Sequence, residues 1–396
     1  MNNEYKLEEL YELQMGKTPS RNDVSLWQTR DAKWISVGDL SNCGKYIYDT
    51  KEYLSDKAIQ ESHIKEIPAE TLVMSFKLSL GKTAITKEKM YSNEAIMAFI
   101  DKHTVPLLND YMYYLLSAKN WDEGTNKAVL GKTLNKATLS NIKVKIHPLP
   151  QQEKIASTLD KITSLISLHQ KQLAKLDELV KARFVEMFGD PIANPMGLPV
   201  RKLKDISVLI TNGNTPKGGS ENYVDEGVLF LRSQNVWRNF IDLSDVAYID
   251  DETHHSMKKS SVHHNDILIT KTGRINTENS SLGRAALYKG ADDSANINGH
   301  VYLVRLKDDV IPEYVVDILA SEAYRKYIRR VCVGGIDKRQ INLDHVEAFP
   351  IIVPSMQEQV NYLNLRNKVE EAKKPIQESL NRLQTLKASL MQEYFS

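Results

Sequence analysis

Two glycine-lysine-threonine words, Gly81-Lys82-Thr83 and Gly131-Lys132-Thr133, look like the ends of phosphate-binding loops. Such a loop needs another glycine five residues earlier, so that its backbone N–H groups can wrap a triphosphate. Phe76 and Asn126 stand there instead, which excludes ATP binding of that kind. The pairs His254-His255 and His263-His264 invite a metal ion. Adjacent side chains point in different directions, however, and no acid or cysteine falls at a familiar ligand spacing. Asp266 with Lys271 downstream resembles part of a nuclease carboxylate set, but no second carboxylate lies in register. An asparagine-proline-proline-aromatic word and a glycine-rich methyl-donor loop are both missing. The expectation is a non-catalytic chain with no metal and no cofactor of its own.

The remaining chemistry is basic and amide-bearing. Arginine can make two hydrogen bonds to guanine, asparagine or glutamine two to adenine, and lysine can neutralise phosphate. In the second half the candidates are Lys217, Arg232, Ser233, Gln234, Asn235, Lys271, Arg274, Arg284, Lys338, Arg339 and Gln340. In the first half they are Lys17, Thr18, Arg21, Arg30, Lys77, Lys82, Lys132 and Lys136. Their grouping in loops that follow strand-like runs sets them apart from ordinary surface charge.

The elements that must position them occur twice. Lys6-Leu7-Glu8-Glu9-Leu10 matches Lys202-Leu203-Lys204-Asp205-Ile206, and Gly16-Lys17-Thr18-Pro19 matches Gly213-Asn214-Thr215-Pro216. Ile35 to Leu40 matches Leu231 to Val236, Asp110 to Leu115 matches Glu313 to Ile318, and Leu139, Ile142 and Pro150 match Leu343, Val346 and Pro354. The offsets creep from 196 to 204, as loop insertions within a duplicated domain produce. The period is far too long for a solenoid. Short apolar runs such as Leu72–Phe76, Ile96–Ile100, Asp266–Thr270 and Val301–Val304 read as strands. Asp110–Ala118 and Glu313–Ile328 read as amphipathic helices. Each half is therefore expected to be a mixed α/β (α+β) module with a twisted, largely antiparallel sheet.

Each half ends in a long heptad-like run. Ile155, Leu159, Ile162, Ile166, His169, Leu173, Leu176, Val180 and Phe184 alternate by fours and threes, the a/d seam of a coiled coil. The second run, Val369, Ala372, Ile376, Leu380, Leu383, Lys387, Leu390 and Tyr394, is less regular, and Pro375 is expected to kink or break it. A single apolar stripe needs a partner, so the two helices are expected to pack on each other, antiparallel. The expected organisation is a module at 1–149, a spacer helix at 150–189, a second module at 190–353 and a C-terminal helix at 354–396.

Composition excludes several classes. The chain has 396 residues, 41% hydrophobic and 26% charged, with a formal net charge of +1. These are ordinary globular proportions, and a near-neutral total still permits a local basic patch. Cys43 and Cys332 are the only cysteines, too few for a disulfide framework or a cysteine zinc site. No apolar stretch reaches membrane-span length and no signal-peptide core is visible, so a cytoplasmic location is expected.

Taken in order, these features resemble the specificity subunit of a type I restriction–modification system. The resemblance is carried by two modules, each opening on Leu-x-x-Leu/Ile and a Gly-x-Thr-Pro turn. Each closes on a proline, a Gln-Glu pair (Gln152-Glu153; Gln357-Glu358) and a long helix. It implies target-recognition domains that each read half of a split, asymmetric DNA site through the major groove. It also implies two methylation subunits bringing S-adenosylmethionine, and restriction subunits using ATP and Mg. A helix from Gln151 to Phe188 would span about 57 Å at about 1.5 Å per residue, longer than one DNA turn of roughly 34 Å. A coiled-coil adaptor bridging protein partners is the alternative.

Overall fold

A computed structural model describes residues 3–77, 79–121, 126–128, 131–216 and 218–395, with only the backbone given at 126–128 and 131–133. The chain divides into two compact units, Met1–Gln172 with Ile376–Ser396, and Leu173–Pro375.

In the first unit a five-stranded sheet runs in the order Tyr11–Met15, Ile96–Asp101, Leu72–Ser75, Thr83–Thr86, Tyr46–Ile47. All its pairings are antiparallel except the last. The buried run Leu72-Val73-Met74-Ser75 works because both faces of the sheet are covered. Leu72 and Met74 enter a core shared with helix Asn109–Ala118, while Val73 enters the core on the opposite face. Side chains alternate across a strand with period two, so one short run feeds two cores. A smaller sheet places Ala32–Ile35 between Glu52–Leu54 and, in parallel, Tyr91–Ser92.

The second unit repeats this plan. Ser207–Asn212, Val301–Leu306, Ile267–Thr270 and Ala285–Leu287 form an antiparallel sheet in that order. Ile267 and Ile269 face one core and Leu268 another. The smaller sheet again has a parallel junction, between Val228–Leu231 and Ala295–Ile297. A third sheet, Thr272–Arg274, Lys338–Gln340 and Val333–Gly334, is built from short strands. The stretch expected as one helix over Glu313–Ile328 is two helices, Pro312–Ala320 and Glu322–Val331. Ser321 is extended and its side chain accepts from Tyr324 N–H, so it caps the second helix.

The duplication extends to hydrogen bonds. Gly16 N–H donates to Ile96 O, and Gly213 N–H to Val301 O. A Cβ at either glycine would strike backbone carbonyls, of Ser92 and Asn93 or of Ile297 and Asn298. This close approach of two loops explains the glycine that opens each Gly-x-Thr-Pro turn. Tyr111 and Tyr314 are both fully buried, and each hydroxyl donates to a closing-strand carbonyl, Lys145 O or Ile352 O, at 3.2 Å.

The long helices are Leu149–Phe188 and Met356–Phe395. In the first unit Ile155, Leu159 and Ile162 are buried and Ile166 half-buried. Leu390, Met391, Tyr394 and Phe395 of the C-terminal helix pack on the core that holds Ile155 and Leu159. Further along, His169 Nε2 lies 3.0 Å from Ser379 Oγ, with Leu380 buried and Ile376 and Leu383 half-buried. In the second unit Leu173, Leu176 and Val180 are half-buried, and Val369 is buried. Asp177 meets Lys373 at 2.7 Å, and Phe184 and Phe188 meet Tyr362 at ring separations of 5.4 and 5.7 Å. In both units rising numbers on one helix face falling numbers on the other, so the pair is antiparallel.

Two details of the second seam differ from expectation. Ala372 is exposed, and Lys373 takes its place, its charge met by Asp177 and Glu370. Pro375 does not break the helix, which is continuous across it. Proline removes one N–H and crowds the carbonyl four residues earlier, but Pro375 and Glu371 are both exposed, so water can satisfy the freed carbonyl.

Candidate nucleic-acid interface

The site residues expected from sequence separate into three groups once placed. The first is turned inward. Asn235 is 2% exposed; its Oδ1 accepts from Arg232 N–H and its Nδ2 donates to Asp242 O and Asp245 O. Its counterpart in the first module is Asp39, whose carboxylate accepts from Ser36 N–H at 2.8 Å and Lys51 N–H at 3.1 Å. Both close the loop after a central strand, so Asn235 is a loop lock and not an exposed reader. Arg284, 7% exposed, donates to Ser280 O and Asn279 O and lies 3.8 Å over the Trp237 ring.

Lys82 and Arg284 are also counterparts. Gly81 N–H donates to Ser75 O and Gly283 N–H to Thr270 O. Lys82 N–H donates to Ser75 Oγ and Arg284 N–H to Thr270 Oγ1. The first glycine-lysine-threonine word is therefore a left-handed turn entering a strand, with φ of 77° at Gly81. That explains its glycine without any bound phosphate.

The second group is exposed or half-buried, and is held by acids, carbonyls or aromatic rings. Arg21 makes a paired contact with Glu52 and stacks 3.8 Å over Trp27. Thr18 donates to Glu94, and Lys17 Nζ donates to Ser62 O at 2.6 Å. Glu94 is held below the usual carboxylate range despite its burial, by Thr18, by its own backbone N–H, and by Lys77 and Arg21. Arg30 lies 5.2 Å over Tyr53 and Lys77 5.2 Å over Phe76. Arg232 and Gln234 both bind Asp245, at 3.2 and 2.7 Å, while Ser233 is half-buried beside them.

The third group is gathered on one short ribbon. Strands Thr272–Arg274 and Lys338–Gln340 pair so that Arg274 faces Lys338 and Thr272 faces Gln340. Lys338 and Gln340 are exposed, and Lys271, half-buried just before the ribbon, lies 5.7 Å from the Tyr302 ring. Gln340 donates to Asn342 at 3.1 Å, and Arg274 pairs with Asp337 at 3.3 Å. Arg339 is half-buried, its Nε without an acceptor among the described residues. Ile336, at the tip of the turn, is 90% exposed. The hairpin of Val333–Gly334 and Lys338–Gln340 that carries Ile336 is a two-stranded ribbon of the kind that fits the DNA major groove, and an apolar side chain can contact a thymine methyl. In the first module Lys82 and Lys136 are exposed; the side chain of Lys132, and Lys217 in the second module, lie outside the described residues.

Sequence inspection passed over Ile336, Arg238, Arg325 and Arg329. Arg325 and Arg329 are spaced one helical turn apart in Glu322–Val331, which was the available signal. Nothing local to Arg238 marks it. Asp266, the nuclease-like acid, is 1% exposed and paired with Arg305 at 2.7 Å, a structural ion pair. The flagged histidines likewise have local partners. His254 Nδ1 lies 2.6 Å from Asn296, and His263 Nε2 lies 3.2 Å from Asp293. Among the described residues no group of three or more His, Cys, Asp or Glu could hold a metal ion, and no helix is long and apolar enough to cross a membrane.

Comparison with known proteins points the same way. Residues 2–178 match the family described as type I restriction modification DNA specificity domain. The chain is 26% identical over 290 residues to the type I restriction enzyme MjaIX specificity subunit of Methanocaldococcus jannaschii, covering 68% of this chain. That alignment spans 65% of the relative's own length. The MjaVIII specificity subunit of the same organism is 22% identical over 373 residues, 84% of each chain. The solved S subunit of a type I system from M. genitalium shares the fold with a TM-score of 0.54 at 12% identity, covering 99% of this chain and 96% of that one. A structure from work on complex assembly and conformational transition of the type I R-M system gives 0.57 at 14% identity, covering 99% and 97%.

Proposed function

We propose that this chain is a type I restriction–modification specificity subunit and that it is the DNA-recognition subunit of its complex. Each module reads one half of a split duplex site. The observation that carries this is the duplication at the level of hydrogen bonds, joined to continuous antiparallel helices. Corresponding frames hold different side chains where a target would lie, with the ribbon of Lys338, Arg339 and Gln340 in the second module.

The chain's own part is to bind and position. Exposed lysines neutralise phosphates, and the ribbon offers donors and acceptors to base edges. Methylation subunits docked on the helices supply S-adenosylmethionine chemistry, and restriction subunits supply ATP- and Mg-dependent steps. The coiled-coil adaptor alternative is not favoured, because the relatives are specificity subunits.

The test is binding by the assembled complex to a target duplex, identified from methylated adenines in the host genome, against a random duplex. Tighter binding to the split target at moderate salt is expected. Equal binding to both would sink the proposal.

A further inference from the structure

The second module carries a concentration of donors that its fold does not use. Trp237 stacks against Phe240 with ring centroids 6.0 Å apart and an interplanar angle of 6°. Arg284 covers the Trp237 ring. The indole Nε1–H is buried with no acceptor among the described residues. Arg238 follows directly in sequence, and Asn239 N–H donates to Ala285 O, anchoring this turn to the sheet.

Arg325 and Arg329 approach from helix Glu322–Val331. Arg325 donates to Glu278 O at 2.7 Å, while Arg284 donates to Asn279 O and Ser280 O. The two guanidinium groups are thus tied to consecutive carbonyls of one loop. That loop rests on the same helix, since a side chain on Gly283 would strike Ile328. The guanidinium groups of Arg238 and Arg329 show no hydrogen bond or ion pair among the described residues; Arg325 has Glu322 at 3.5 Å. Burial, together with Arg325 and Arg329, holds Arg238 below the ordinary arginine range, with Glu322 pulling the other way. Burial and Arg238 do the same to Arg284. Like charges grouped in this way destabilise each other unless an anion sits among them.

We propose that Arg238 and Arg329, backed by Arg284, Arg325 and the Trp237 N–H, form a phosphodiester clamp. It grips the DNA backbone beside the base-reading ribbon of the second module. The clamp deepens the DNA-recognition reading and rests on it. It sets affinity and register, not sequence preference, because phosphate contacts carry no base information. It is particular to one module. At the aligned positions the first module has Lys82 for Arg284 and Asn42 for Arg238, with the Asn42 amide donating to Gly38 O. Among its described residues there is no counterpart of helix Glu322–Val331.

The experiment measures binding of target and random duplexes by the assembled complex across about 50–300 mM salt, for wild type and Arg238→Gln/Arg329→Gln. A phosphate contact contributes about 0.9 to the slope of log affinity against log salt. The double variant should lose about one to two from that slope and weaken on both duplexes by the same factor. Arg329→Lys should keep the slope. The thermal midpoint of the double variant should equal or exceed that of wild type, since like charges have been removed. Should the double variant fail to fold, Arg329→Gln alone reads the same slope with about half the loss.

An unchanged slope overturns the clamp while leaving the DNA-recognition reading intact. Loss on the target duplex alone also overturns it, making these residues base readers. Millimolar inorganic phosphate raising the midpoint of wild type but not of the variant, with no change in DNA slope, assigns the site to free anions and overturns it too. Equal wild-type binding to target and random duplexes is instead the failure of the underlying reading.

Discussion

Gln152 and Gln359 tie the same knot in the two modules. Each Oε1 accepts a backbone N–H from the residue that opens a helix-bearing loop, Leu108 or Ile311, at 3.0 Å. Each Nε2 donates to the carbonyl five residues back, His147 O at 2.8 Å or Pro354 O at 3.0 Å. Gln152 also holds Pro106 O at 3.0 Å. The pair corrects the sequence alignment, which set Gln152-Glu153 against Gln357-Glu358. The shared residue is the glutamine at 359, because hydrogen-bond geometry, not the adjacent acid, defines the position.

Gln359→Ala should lower stability by about 1–3 kcal/mol, the cost of a buried N–H left without its acceptor. Gln152→Ala should cost at least as much, because it strands one more carbonyl. Chemical unfolding of the full chain, followed by fluorescence and circular dichroism, checks this. An unperturbed transition in both variants would contradict the knot.

Asn235→Ala and Lys338→Ala should behave differently. Asn235 locks its own loop, so its loss should cost about 1–3 kcal/mol of stability and weaken binding to every duplex. Lys338 is exposed on the ribbon, so its loss should leave the unfolding midpoint within about 0.5 kcal/mol of wild type. Its effect should appear in DNA binding instead. A changed base preference from Asn235→Ala in a stably folded chain would reverse this assignment.

Inserting one heptad after Gln172 and a matching heptad before Ile376 keeps both seams in phase. The added length is about 10 Å. The preferred gap between half-sites should then lengthen by about three base pairs, at about 3.4 Å per step. Methylome sequencing of cells carrying the lengthened subunit reads the gap directly. An unaltered gap would show that the helices do not set the spacing.

Asp317 provides a pH signature within the second unit. Burial pushes its carboxyl up to about 6, against the pull of Arg366 at 2.8 Å and the Tyr362 hydroxyl at 2.9 Å. Between its ordinary value of 3.8 and about 6 the folded chain holds a proton that the unfolded chain has released. This contribution to stability is therefore present at the acid end and fades as pH rises through the window. Relative to Asp317→Asn, wild type should lose about 1 kcal/mol per pH unit from pH 4 to 6. Parallel stability curves for the two proteins would refute the shift.

Much of this fold was legible because its signals are local and periodic. The stripe from Ile155 to Phe184 repeats by fours and threes, and helix geometry alone puts such residues on one side. Strand runs such as Leu72–Ser75 announced themselves by apolar content, and the Gly-x-Thr-Pro words marked a turn in each module. Where the local signal was weak, expectation slipped. Ser321 offered a cap inside an amphipathic stretch, and Ala372 looked like seam beside a lysine whose neutralising acid is 196 residues away.

The sequence by itself determined the two-module plan, the antiparallel helices and the absence of a nucleotide loop, because these follow from order, period and missing residue types. Only the tertiary structure decided which basic and amide side chains stay exposed and which are held by partners within the fold. Arg232, Asn235 and Arg284 look as eligible as Lys338 in the chain, but their partners Asp245, Asp242 and Trp237 arrive through turns that no period encodes. The same contacts bring Arg238, Arg325 and Arg329 together across about 90 residues of sequence. Charge identity is written locally; charge neighbourhood is set by long-range packing.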